Sequence, residues 1–227
     1  LFLQNYYFGY MTAIFLIIWT LVQLSRLKGQ KLKRFVNFTL VSILSALSSL
    51  FMLLPTYLDL KTHGETFTNI VNLKTEDSWY LDFFAKNLVG SFDTTKFGSI
   101  PMISVGLVPL ILALLFFTLK SIKPIVKLSY SLFFTLIISS FYLQPLNLFW
   151  QGMHAPNMFL YRYAWVLSIG IIYLAAETVV RLDQINLKHF TLVISFLFIG
   201  FLSTYFFKNH YDFLVDVNFL LTLEFLI

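Results

Sequence analysis

The sequence has no cysteine, which excludes a disulfide-stapled secreted domain and removes the thiolates that zinc and iron–sulfur sites need. Charge is scarce as well. Asp, Glu, Lys and Arg together make up 12%, about half the share in a typical soluble domain. The four histidines, His63, His154, His189 and His210, lie in separate segments with no i, i+4 pair, so metalloprotease and paired-histidine haem motifs lack ligands. No glycine-rich phosphate loop, nucleophile elbow, internal repeat or low-complexity linker is present. Against these absences stand 58% hydrophobic residues and 27 Phe in 227 residues. A soluble sphere of this size cannot bury so much apolar surface, so lipid must be part of the solvent. The chain begins at Leu1 without a charged leader and ends at Ile227 inside an apolar run. It reads as an internal fragment of a longer membrane protein.

A hydrocarbon core of about 30 Å takes about 20 apolar helical residues. Leu1–Ser25 and Phe35–Leu58 carry no charge and give two spans. Phe97–Leu119 gives a third, with Pro101 in its first turn and Pro109 as a kink. The uncharged run 128–161 is too long for one span and is interrupted by Pro145, Gly152 and Pro156. It divides into a fourth span, 128–143, and a non-helical stretch in or on the interface. Leu160–Val180 and Phe190–Phe207 follow, and a seventh span starts at Phe213. The expected fold is an all-α, polytopic transmembrane bundle forming a single domain over 1–227. It has about six complete spans, the start of a seventh, and outer loops at about 59–98 and 144–160.

The connections alternate in charge. Arg26, Lys28, Lys31, Lys33, Arg34, Lys120, Lys123, Lys127, Arg181 and Lys188 share one side with a single acid, Asp183. The segment 59–96 on the other side holds six acids and four Lys. The positive-inside rule then puts the short basic loops in the cytoplasm and the 59–98 loop outside the cell. Net charge is +5, and the basic residues lie where anionic lipid attracts them, so membrane lipid is an expected partner and nucleic acid is not. Within the complete spans the one carboxylate is Glu177, four residues before Arg181, the spacing of a helical ion pair at the inner interface.

Candidate chemistry clusters on the outer side. The stretch 79–89 has apolar residues at helical spacing (Trp79, Phe83, Phe84, Leu88), which predicts a helix along the interface with Lys86 on its wet face. It leads to Gly90-Ser91-Phe92-Asp93, where the Asp93 carboxylate can take a proton from a hydroxyl or simply shape a solvated turn. The second cluster runs from Asn147 to Tyr163. It contains Trp150, Gln151, His154, Asn157 and Tyr161, and ends on Arg162, the sole Lys or Arg between Lys127 and Arg181. A guanidinium there suits a lipid phosphate or pyrophosphate, with His154 as a second donor and Asn157 on sugar hydroxyls. An aromatic belt with one snorkelling Arg has the same composition.

Several strings resemble the YfhO family of bacterial membrane proteins. One is the run from Asp82 through Lys86-Asn87 and Gly90-Ser91 to Asp93, followed by Gly106-Leu107-Val108-Pro109-Leu110. Others are Trp150-Gln151-Gly152 with Pro156-Asn157-Met158-Phe159-Leu160-Tyr161-Arg162-Tyr163, and Gln4-Asn5-Tyr6-Tyr7-Phe8-Gly9-Tyr10-Met11. The resemblance implies a GT-C-like glycosyltransferase. Such an enzyme moves a sugar from a polyprenyl-phosphate donor to an extracellular cell-wall polymer such as teichoic or lipoteichoic acid, and its principal catalytic Asp is expected upstream of Leu1. On this reading Arg162, with His154 or Lys86, binds phosphate. Asp93 orients the acceptor or supports the missing base, and Asn157, Gln151, Trp150 and Tyr161 line the sugar site. No cofactor is implied beyond the lipid-linked donor, and the need for a divalent metal stays open. The alternative is a lipid-linked-sugar flippase or polymer transporter, whose polar stripe would come from Thr39, Ser42, Ser45, Ser48 and Ser49. A structural subunit whose loops bind a partner is the third reading.

Overall fold

In hydrocarbon every backbone N–H and C=O needs a partner within its own segment or bundle, and helices supply those partners here. The computed structural model describes residues 6–63, 70, 72–75, 78–93, 98–155, 158 and 160–226. Among them are ten α-helices and no strand. They are α1 Tyr6–Arg26, α2 Lys31–Ser48, α3 Leu50–His63, α4 Asp82–Asn87, α5 Leu107–Phe116, α6 Pro124–Tyr142, α7 Gln144–Trp150, α8 Ala164–Val179, α9 Leu187–Phe206 and α10 Asp216–Leu226. Three helical stretches are long and apolar enough to cross a membrane: Tyr7–Arg26, Pro124–Tyr142 and Leu187–Phe206. The expected count of six complete spans is therefore not what these elements show. α5 and α8 are apolar but shorter, at 10 and 16 residues.

The departures have local causes. The second expected span, 35–58, is split at Ser49. The Ser45 carbonyl there receives the Ser48 and Ser49 hydroxyls and the Ser49 N–H together, and such competition disturbs the helical ladder. α2 buries no residue. Residues 98–106 of the third expected span lie outside any helix. Pro101 has no N–H to donate, and Gly106 stands at φ +82° just ahead of α5. At about 1.5 Å per residue, α5 covers roughly 15 Å, half a bilayer core. Conversely, the stretch expected to be non-helical after 143 begins with α7. Pro145 occupies its first turn, where a missing N–H costs nothing. The helix ends on Gly152 at φ +69°, with Met153 N–H bonded to Leu148 O and Gly152 N–H to Phe149 O, the paired bonds of a Schellman stop. The interfacial helix expected over 79–89 shrinks to six residues.

The packing order runs α1 to α6, α6 to α7 and α8, α8 to α5, α5 to α9, and α9 to α4 and α10. Trp19 of α1 meets Tyr130 and Phe133 of α6 and Tyr173 of α8 edge-on. Two glycines permit the closest approaches. A Cβ on Gly170 would lie 2.7 Å from the Phe133 ring, and one on Gly200 would overlap Phe84 of α4. At the basic end, the expected Glu177–Arg181 pair is present at 2.8 Å. The carboxylate also holds Arg26 of α1 at 2.8 Å, and Arg26 donates to the hydroxyls of Tyr130 and Tyr173. That triad fastens the ends of α1 and α8 beside α6, a tertiary link that no spacing in the sequence displays.

Candidate functional site

The opposite end gathers the start of α1, α7, the start of α8, the end of α9, and α4. Tyr10 donates to Phe149 O at 2.9 Å, and Trp79 packs on Phe207 and His210. The described residues among those read from the sequence as a site fall here, but in two separate groups.

The first group surrounds Arg162. Its guanidinium is exposed, donates to Met158 O at 3.2 Å, and lies over the Tyr7 ring, 5.8 Å from the centroid. A carbonyl and a ring face both orient a guanidinium. Its flanking residues, Tyr161 and Tyr163, are buried. Tyr163 is sandwiched between Trp150 and Phe141, at 5.2 and 5.3 Å, and donates to Ser140 O at 2.6 Å. Tyr161 meets Phe141 edge-on. The Arg162 backbone is thus anchored on both sides while its head reaches the surface.

Trp150, Gln151 and Tyr161, expected to line a sugar site, pack around the Arg162 backbone. Trp150 Nε1 donates to Ser140 Oγ at 3.1 Å, and Gln151 Nε2 donates to Asn147 Oδ1 and Leu160 O. All three are buried, because the stop after α7 folds the chain back under the start of α8. His154 is half-buried in the connection between α7 and α8. Asn157 lies outside the described residues. Trp165, one turn beyond Arg162, packs on Phe8 and Phe15. Its buried indole N–H has no acceptor among the described residues.

The second group is built on α4. Lys86, expected on a wet face, is 2% exposed. The segments 98–106 and 207–215 close over it. Its ammonium is 3.2 Å from Asp93 Oδ2, 3.4 Å from Met102 Sδ and 4.9 Å from the centre of the Phe213 ring. Burial pulls its pKa below the usual lysine value, and the charge of Asp93 opposes that fall. Asp93 is buried too and accepts the Ile100 N–H at 3.0 Å. The pair thus staples the turn after α4 to the non-helical segment before α5. Asp82, not singled out from the sequence as a site residue, is the other buried carboxylate among the described residues. It accepts from Trp79 N–H at 2.7 Å and from the Tyr211 hydroxyl at 2.9 Å. Its one sequence signal was its place four residues before Lys86 on a short amphipathic stretch.

Neither the curated proteins nor the solved structures offer a match to this chain. The family model described as bacterial membrane protein YfhO matches residues 1–227. That span covers both groups and every helix between them, so the chain belongs to the YfhO family of bacterial membrane proteins.

Proposed function

We propose that this protein acts as a membrane glycosyltransferase of GT-C-like type, moving a sugar from a polyprenyl-phosphate donor to an extracellular cell-wall polymer such as teichoic or lipoteichoic acid. The observation that carries this reading is Arg162: an exposed guanidinium, oriented by a carbonyl and an aromatic face, between two buried tyrosines. A leaving lipid phosphate needs cationic stabilisation near the headgroup plane, and a charge fixed in advance supplies it without reorganising. Arg162 binds that phosphate, with His154 as a second donor and Asn157 on the sugar. Trp150, Gln151 and Tyr161 act from below by holding the Arg162 backbone. The Lys86–Asp93 pair acts by positioning: each charge is engaged by the other, and the pair fixes the turn that faces the acceptor. With this end of the bundle outside the cell, the basic end lies in the cytoplasm, in keeping with its ten basic residues and one acid.

In the flippase reading the hydroxyls of 39–49 line a path. Thr39, Ser48 and Ser49 instead donate to carbonyls of their own helical run, which leaves them less to offer a passing sugar. The two readings part in one experiment. Membranes carrying the full-length protein receive radiolabelled polyprenyl-phosphate sugars, and label is followed into wall polymer. Transfer by wild type, reduced at least tenfold in Arg162→Ala at equal abundance, supports the transferase. Labelled lipid crossing the bilayer with no transfer across several sugars would replace it with the flippase.

A further inference from the structure

Among the described residues, the buried charges around α4 do not balance. Asp82, Lys86 and Asp93 are all buried, the first two at 2% exposure, which sets two carboxylates against one ammonium. Lys86 lies against Asp93. Asp82 is held by two neutral donors, the Trp79 N–H and the Tyr211 hydroxyl. An ionised carboxylate in such a place is costly unless a proton neutralises it. Asp82 also stands where separate segments meet: α4, the residues leading into it, and the stretch 207–215 that follows α9. Lys74 faces it from the first of these segments, Tyr142 from the end of α6, His210 and Tyr211 from the third, and Lys86 from its own helix.

We infer that Asp82 and Tyr211 form a proton-binding site that latches segment 207–215 onto α4. With the proton on Oδ1, the Tyr211 hydroxyl changes from donor to acceptor, so the contact survives in neutral form while Trp79 N–H keeps Oδ2. With the proton gone, a full charge rests in the interior on the two neutral donors. Burial is the largest influence on Asp82 and lifts its carboxyl to about 6 from the ordinary 3.8. A raised carboxyl binds its proton more tightly in the latched form. The latch is therefore at full strength below about pH 4 and weakens as pH rises through about 6. Tyr211 is raised as well, by burial and by the charge of Asp82, and keeps its proton throughout that window. The inference stands apart from the transferase reading and holds for a flippase equally.

The absence of cysteine makes the latch measurable in the full-length protein. Leu214→Cys places a thiol at a buried position of the segment, and Asp212→Cys places one at an exposed position two residues away. The ratio of their maleimide labelling rates cancels the thiol's own pH dependence. Between pH 5 and pH 7.5 the ratio is expected to rise several-fold. The ceiling in this window is about tenfold, because only the unit between pH 5 and the lifted titration point near 6 falls inside it. In the Asp82→Asn background the ratio stays low and flat. In the His210→Gln background the rise persists, which separates Asp82 from the neighbouring imidazole. A flat wild-type ratio, a rise that survives Asp82→Asn, or a rise lost in His210→Gln would each overturn the latch. If Asp82→Asn does not fold, the wild-type and His210→Gln profiles decide between these outcomes.

Discussion

At the scale of residues, a buried ion pair is more sensitive to losing one partner than to losing both. Lys86→Met keeps the length of the side chain and removes the charge that faces Asp93. The expected loss is about 3–5 kcal/mol, read as a lower thermal midpoint of the purified protein. Adding Asp93→Leu should recover most of it. A single variant as stable as wild type would contradict the pairing. The sequence displayed Lys86 and Asp93 as polar residues beside an apolar stripe, and the stripe itself is real: Phe83 and Phe84 pack inward. What it could not display was the cover. Burial of Lys86 depends on Met102 and Phe213, which lie on segments whose approach is set by the fold of the whole loop end. Asp82 went unread for the same reason, since its partner Tyr211 stands 129 residues away.

Among the elements, α4 docks on α9 through a glycine. Gly200 faces the Phe84 ring so closely that an added methyl would overlap it. Gly200→Ala must displace α4 from α9 or force Phe84 from its rotamer, at a cost of about 1–3 kcal/mol. Phe84→Leu in the same background should return part of that stability in a thermal melt. An alanine variant that melts with wild type would show that the two helices do not approach this closely. Helix existence was largely legible, because long uncharged apolar runs mark α1, α6, α8 and α9 to within a few residues. Prolines misled in both directions. Pro145 looked like a breaker and starts α7. Pro101 looked like a first-turn residue, yet it lies in the non-helical stretch that ends at Gly106. Position within a helix decides what a proline does, and that position is set by the turn before it. The split at Ser49 arises from three donors converging on one carbonyl, a matter of side-chain rotamers that hydropathy does not report.

For the whole molecule, the separation of charge read from the loops reappears in three dimensions. Arg26, Glu177 and Arg181 meet at one end, and Arg162, Tyr7, α4 and the stretch after α9 gather at the other. The sequence therefore grouped its candidate residues at the end of the bundle away from Arg26 and Glu177, but merged two groups that the structure keeps distinct. One is a deeply buried, charge-bearing anchor around α4. The other is an exposed guanidinium on an aromatic floor. The account turns on that cation meeting a phosphate. Equilibrium binding of a polyprenyl monophosphate to the full-length protein in bilayer discs tests this most directly, comparing wild type with Arg162→Ala and Arg162→Lys. Loss of a charge-assisted hydrogen bond of about 1.5–3 kcal/mol predicts a Kd roughly 10- to 100-fold weaker for Arg162→Ala. Arg162→Lys should recover only part of that affinity, because an ammonium lacks the planar two-donor fork. Equal affinity in all three proteins, each folded and at equal abundance, would contradict the account.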